Sequence, residues 1–224
     1  MIIAIDGPSG AGKSTLGRMV ARELGLLYID TGAMYRAAGL AVIRSGVSIQ
    51  DEEAIAKIAS EANIGLEGDP DSLRVTLDGE DVSAEIRSER VSHSASMIST
   101  ISAVRRALVR RQRELGKRGR GAVLEGRDIG AVVFPNADLK FFLTATPEAR
   151  ARRRYEEDRL HNREANYEET LADINRRDQR DSTREDSPLT IGDDAIVIDS
   201  SDLSIDGVYE RMLSEIREKE ELRS

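Results

Sequence analysis

The stretch GPSGAGKST, residues 7–15, follows the apolar run IIAI and a single Asp, and from Gly7 to Ser14 it reads G-x-x-x-x-G-K-S. Glycines at 7, 10 and 12 let backbone amides converge on phosphate oxygens, and a helix starting behind them adds the favourable field of its N-terminus. Gly7, Pro8, Ser9, Gly10, Ala11, Gly12, Lys13, Ser14 and Thr15 are therefore candidate ligands of a donor's phosphates. Lys13 is suited to the β and γ phosphates, and the Ser14 hydroxyl to a Mg²⁺ ion bridging them. The bland alternative is a glycine-rich turn with an exposed lysine; a complete motif between a predicted strand and a predicted helix speaks against it. Such a loop points to nucleotide phosphate and is silent on what reaction follows.

Five further segments carry groups that can act on an anionic substrate. DTGAMYR (30–36) offers the Thr31 hydroxyl and Arg36, a bidentate phosphate donor, although Thr31 also suits a helix N-cap and Arg36 a plain surface position. EGRD (125–128) sets Arg127 beside Asp128, which can serve one anionic and one donating group or simply pair with each other; Glu125 can hold Mg²⁺ through water or be a buried structural carboxylate. In TPEARARRRYEEDR, Arg150, Arg153 and Arg154 fall at i, i+3 and i+4 on one helical face. They suit a lid closing on a transferring phosphoryl group, or a salt-bridged surface helix neutralised by Glu156, Glu157 and Asp158. Downstream, Arg177, Asp181 and Arg184 are spaced by four and three residues. Ser96 and Arg105 lie in a long predicted helix whose run RRALVRRQR is by default a solvated face.

The elements that must position these residues alternate. Short apolar runs predict strands at 2–5, 26–30, 122–126, 139–143 and 195–199; amphipathic stretches predict helices at 13–24, 33–45, 51–61, 91–117, 147–163, 166–181 and 204–220. That order predicts an α/β fold, a three-layer domain around a five-stranded parallel sheet. Residues 63–87 break the alternation: RVTL followed by Asp78-Gly79 predicts an antiparallel hairpin insertion, either a decorated loop or a small substrate-closing module. With 224 residues and 39% hydrophobic content the chain can bury one principal core. The net charge of −8 argues against non-specific nucleic-acid binding. The absence of cysteine excludes disulfides and thiolate metal sites, and His93 and His161 are too few for a histidine zinc cluster. No run reaches the ~20 apolar residues of a membrane span and no signal peptide is evident, so a cytoplasmic protein with no membrane partner is expected.

Three classes compete for a phosphate-binding loop of this kind. A guanine-nucleotide switch needs N-K-x-D and D-x-x-G motifs, and neither occurs. A motor ATPase pairs the loop with a strand ending in an acidic Mg²⁺ anchor, of which Glu125 is the nearest equivalent, but carries fewer arginines. A small-molecule kinase uses arginines throughout. As a set, IDGPSGAGKST, DTGAMYR, DGEDVSAEIR, VRRALVRRQR, EGRDIGAVVFP and RRDQRDSTRED, in that order, resemble the nucleoside monophosphate kinases, and within them the cytidylate kinases of bacterial type.

The resemblance spans essentially the whole chain and implies a P-loop kinase fold with an antiparallel monophosphate-binding insertion and a helical lid. It implies a core of residues 1–31, 88–146 and 185–224, a monophosphate-binding region 32–87 and a lid 147–165. Lys13 and Ser14 would serve ATP and Mg²⁺; Arg36, Arg127 and Arg184 the acceptor phosphate; Ser96, Arg105 and Asp128 cytosine; Arg177 and Asp181 ribose. Lys13 and Arg127 would be catalytic, with Arg150, Arg153 and Arg154 as lid candidates, and Glu125 leaves a metal role at its position open. The implied substrates are CMP and dCMP with ATP as donor, the expected assembly a monomer. The base assignment is chemically consistent: cytosine offers a donor at N4 and acceptors at N3 and O2, complementary to a carboxylate and a guanidinium, whereas uracil reverses N4 and N3. Acceptors such as UMP or AMP, a regulatory ATP-binding module and an RNA-binding role for the Arg-rich helices are the remaining alternatives.

Overall fold

Each apolar run read as a strand is one in the computed structural model, which describes residues 1–160 and 165–222. Residues 161–164, where the predicted helix 147–163 and the expected lid end, and with them His161, lie outside the described residues. In chain order the elements are β1 (Ile2–Asp6), α1 (Lys13–Leu24), β2 (Leu27–Asp30), α2 (Thr31–Ser45), α3 (Glu52–Glu61), β3 (Ile64–Glu67), β4 (Arg74–Leu77) and β5 (Glu80–Asp81). They continue with α4 (Glu89–Ile98), α5 (Ser102–Gly116), β6 (Ala122–Gly126), β7 (Leu139–Thr144), α6 (Pro147–Leu160), α7 (Tyr167–Thr183), β8 (Ile196–Asp199) and α8 (Ile205–Glu221). The parallel sheet has the order β2-β6-β1-β7-β8, with β1 in the middle.

Contacts divide the chain into two compact units, one of Met1–Val20 with Glu125–Ser224 and one of Ala21–Leu124. In the first, Ile3, Ala4 and Ile5 of β1 and Phe141 and Leu143 of β7 are buried, as continuous apolar strands of a sheet covered on both faces must be. Ile3 to Asp6 pair in parallel with Leu139 to Phe142. Val208, Met212, Leu213 and Ile216 give α8 the apolar stripe it buries.

In the second unit, the insertion is the small antiparallel sheet β3-β4-β5. Leu77 pairs with Glu80 across the two-residue turn, where Asp78 (φ 52°) and Gly79 (φ 88°) take the left-handed conformations that a tight hairpin requires. Helices α2 and α4 approach closely at Gly39, where a Cβ would lie 2.9 Å from the Ala95 amide nitrogen. The Ser94 hydroxyl donates to the Gly39 carbonyl at 3.1 Å across the same contact.

Two expectations are corrected here. The single helix predicted for 91–117 is two, α4 and α5, broken at 99–101. The Ser99 hydroxyl donates to the Ser96 carbonyl and that of Thr100 to the Met97 carbonyl, local bonds that compete with helix continuation, while Ile98 and Ile101 turn into the core. Thr31 is the first residue of α2, not its cap; Asp30 caps the helix, accepting from the Ala33 amide at 2.7 Å. No helix among the described residues is long and apolar enough to cross a membrane.

Candidate functional site

Strand β1 delivers the chain to Asp6 and the phosphate loop. Gly7 (φ 143°) passes so close to β7 that a Cβ would lie 2.0 Å from the Leu143 carbonyl oxygen, so only glycine fits. Gly10 backs onto helix α6, where a Cβ would come 3.1 Å from that of Arg150. Lys13, 6% exposed, folds back over the loop and donates to the Pro8 carbonyl at 2.7 Å. Burial and the positive charges of Arg127 and Arg177 pull its ammonium down to about 7 against the opposing pull of Glu125 and Asp6. Ser14 and Thr15 are exposed on the first turn of α1.

The end of β6 brings EGRD into the same unit. Glu125 is buried. Arg127 Nε donates to Asp181 Oδ2 at 2.8 Å, joining the strand end to α7. Arg184, just past α7, lies 3.9 Å from the Asp128 carboxylate, both side chains buried. Arg177 donates to the Ser9 hydroxyl at 3.3 Å, so α7 also reaches the phosphate loop. Burial opposes the Asp181 charge, but Arg127, Arg177 and Arg184 around it hold its carboxyl below the usual range. Lys13, Arg127, Asp128, Arg177, Asp181 and Arg184 thus form one cluster of alternating charge reaching from the loop to the C-terminal end of α7.

Arg150, Arg153 and Arg154 of α6 part company. Arg150, 2% exposed, is turned inward: it donates to the Ala145 carbonyl at 2.9 Å, to the Ser9 carbonyl at 3.1 Å, and with both terminal nitrogens to Asp178, at 3.1 and 2.5 Å. It pins the phosphate loop to α7. Arg153 is held by the hydroxyl and carbonyl of Ser200. Arg154 makes a weak contact with Asp158 at 3.4 Å and keeps a side-chain exposure of 53%. One helical face, as predicted from spacing, is here three environments.

The second unit holds the other candidates. Thr31 is buried at the start of α2. Arg36 donates to Asp30 Oδ2 at 3.1 Å, while its Nε is buried with no hydrogen-bond partner among the described residues, a donor aimed at something further. The Arg105 guanidinium, buried in α5, lies 5.9 Å from the centre of the Tyr35 ring and donates to the Ser99 carbonyl at 3.3 Å. Ser96 is half-buried on α4.

A sequence profile described as cytidylate kinase matches residues 3–218. The chain belongs to the cytidylate kinase family. The cytidylate kinase of Caldanaerobacter subterraneus subsp. tengcongensis is 52% identical over 215 residues, 96% of this chain and 94% of its own length. That of Geobacter sulfurreducens is 47% identical over 220 residues, 98% and 94% of the two chains. The crystal structure of an uncharacterized protein from Eubacterium ventriosum shares the fold, with a TM-score of 0.53 at 12% identity over 97% of this chain and 98% of that one.

Three residues that no motif of the sequence singles out hold the site together. Asp6, Asp178 and Ser200 take their partners from 123 to 124, 28 and 47 positions away, so no local pattern marks them. No cluster of three acidic or histidine side chains suited to a metal occurs among the described residues. An exposed Ser14 hydroxyl at the start of α1 fits a Mg²⁺ ion that keeps most of its coordination to phosphate oxygens and water.

Proposed function

We infer that the chain is a cytidylate kinase that transfers the γ-phosphoryl group of ATP to CMP or dCMP, giving ADP and the corresponding diphosphate. The observation that carries the reading is the cluster of Lys13, Arg127, Arg177 and Arg184 around Asp181 and Asp128, cations in excess beside a phosphate-binding loop. Two phosphate-bearing substrates need that excess. Lys13, leaving the Pro8 carbonyl, neutralises the β and γ oxygens of ATP, and backbone amides of residues 7–15 hold the rest of the triphosphate. The Ser14 hydroxyl would hold Mg²⁺, which would supply charge neutralisation on the triphosphate.

Arg36, Arg127 and Arg184 hold the acceptor phosphate, and the buried Nε of Arg36 is a donor available for it. Asp128 accepts from cytosine N4, Arg105 donates to N3 and O2, and Ser96 assists; Arg177 and Asp181 serve the ribose, with Thr31 beside the acceptor. Residues 32–87 form the acceptor-binding region in this reading. No protein nucleophile is needed, because the acceptor oxygen is already anionic and catalysis rests on alignment and on neutralising the spread charge of the transition state. Of Arg150, Arg153 and Arg154, the exposed Arg154 is the candidate for approaching the transferring group. In this reading the enzyme is a cytoplasmic monomer whose partners are its small-molecule substrates, with no nucleic-acid or membrane partner.

The test is a panel of CMP, dCMP, UMP and AMP with ATP and Mg²⁺, run alongside Lys13→Ala. Turnover is expected with CMP and dCMP far above UMP and AMP, and none in Lys13→Ala although the variant stays folded by circular dichroism. ATP binding without transfer to any acceptor would make the protein a nucleotide-binding module instead; a strong preference for UMP would refute the base assignment.

A further inference from the structure

Asp6 ends the central strand one residue before the phosphate loop, yet its side chain serves a different segment. It is 7% exposed; Oδ1 accepts from the Ile129 amide at 2.8 Å and Oδ2 from the Gly130 amide at 2.7 Å. These are the two residues directly after Arg127 and Asp128. One oxygen per N–H is an arrangement that suits an acceptor-only carboxylate; an amide would turn its own N–H₂ against one of the two donors.

The backbone at Asp128 is held from its other side as well. Asp128 has φ −146° and ψ 25°, and its carbonyl accepts from the Val132 and Val133 amides at 2.8 and 3.2 Å, closing the single π-type turn Ile129–Val133. Gly130 fits against the carboxylate with little to spare: a Cβ there would lie 3.0 Å from Lys140 Cδ and 3.3 Å from Asp6 Oδ2. Burial pushes the Asp6 carboxyl up to about 6, and Asp128 pushes in the same direction; the two amides and Lys13 draw it back. An ionised carboxylate is thus kept in an unfavourable place, where a hydrophobic residue would complete a strand.

We propose that Asp6 is a positioning residue for the acceptor site, whose carboxylate clamps the Ile129 and Gly130 amides and thereby aims Arg127 and Asp128. The inference rests on the reading of Asp128 as the group that selects cytosine. Asp6 touches no substrate; it makes the strand end that launches the donor loop also set the acceptor-reading turn.

Steady-state kinetics of Asp6→Ala and Asp6→Asn with CMP, UMP and ATP, beside Asp128→Asn, test it. Misplacement of a reacting group by about 1 Å costs on the order of 100-fold. Asp6→Ala is accordingly expected to lose ~10- to 100-fold in kcat/KM for CMP and at least about tenfold in the CMP-to-UMP preference, with KM for ATP changed less than about threefold. Asp6→Asn, which keeps one acceptor, is expected between Asp6→Ala and the unmodified enzyme. Equal losses for CMP and UMP, or a loss confined to KM for ATP, overturn the proposal. If Asp6→Ala does not fold, Gly130→Ala disturbs the same turn from the opposite side and is expected to lower the same preference; unchanged preference in that variant overturns it too. Erosion of preference by Asp128→Asn but by neither Asp6 variant leaves the base reading standing and removes the clamp. A changed CMP-to-UMP preference in the Asp6 variants with none in Asp128→Asn keeps the clamp on the turn at 129–130 and removes Asp128 as the group that selects cytosine.

Discussion

The ammonium of Lys13 should change its protonation when ATP arrives. Before ATP binds, burial and the neighbouring guanidinium groups pull it down to about 7, so at pH 8 about nine-tenths of the sites carry a neutral amine. A triphosphate brings several negative charges to the same place and restores the charged form, so each ATP bound at pH 8 is expected to take up ~0.9 proton. At pH 6 Lys13 is already charged and uptake falls to ~0.1. The sign follows from linkage: the complex holds more protons than the free enzyme above pH 7, so ATP affinity falls as pH rises, approaching about tenfold, or ~1.4 kcal/mol, per pH unit. Asp6, pushed up only to about 6, is ionised at pH 8 with or without ATP and adds little there. Titration calorimetry of ATP with Mg²⁺ in two buffers of different ionisation enthalpy reads the proton count directly, with Lys13→Met as a control that should show none. A binding enthalpy identical in both buffers at pH 8 would mean that Lys13 is charged before ATP comes, and would refute the account of burial.

Three other outcomes follow from particular contacts. Asp178→Ala leaves the buried Arg150 charge without its carboxylate partner and should destabilise the protein by ~3 kcal/mol in urea denaturation, raising KM for ATP more than for CMP; a loss below about 1 kcal/mol would show the pair to be dispensable. Asp128→Asn should lower the CMP-to-UMP ratio of kcat/KM by roughly tenfold or more, and an unchanged ratio would move base selection to another residue. Gly39→Ala drives a methyl group to 2.9 Å from the Ala95 nitrogen between α2 and α4 and should cost about 2 kcal/mol of stability by overpacking, a value that thermal denaturation measures. No loss in that variant would mean the two helices can move apart freely.

Features that depend on neighbours in sequence were legible, and those that depend on distant partners were not. The phosphate loop, the five strands and the Asp78-Gly79 hairpin are written locally, in glycine spacing, apolar runs and a turn pair. The break at 99–101 was hidden because no proline or glycine marks it; the hydroxyl residues Ser99 and Thr100 carry the signal, in bonds back to the preceding turn. Helical spacing put Arg150, Arg153 and Arg154 on one face, but only tertiary structure distinguishes a side chain locked on Asp178 and Ser9 from one held by Ser200 and one near solvent. Asp30 outcompeted Thr31 for the cap while also holding Arg36, so one carboxylate does two tasks that sequence assigns to none. Asp6 stands just past the predicted strand 2–5 with no role legible in sequence, because the amides it accepts from lie more than 120 residues away.

The nine residues GPSGAGKST look like a self-contained cassette that protein engineering could graft onto any strand-helix junction. Their surroundings here argue otherwise: Gly7 needs the Leu143 carbonyl at its back, Gly10 needs the narrow flank of Arg150, and the Ser9 carbonyl and hydroxyl are each claimed by an arginine from outside the loop. A transplanted copy would keep its amides but lose the walls that shape them. The portable unit is the loop together with the end of β7, the first turns of α6 and the middle of α7.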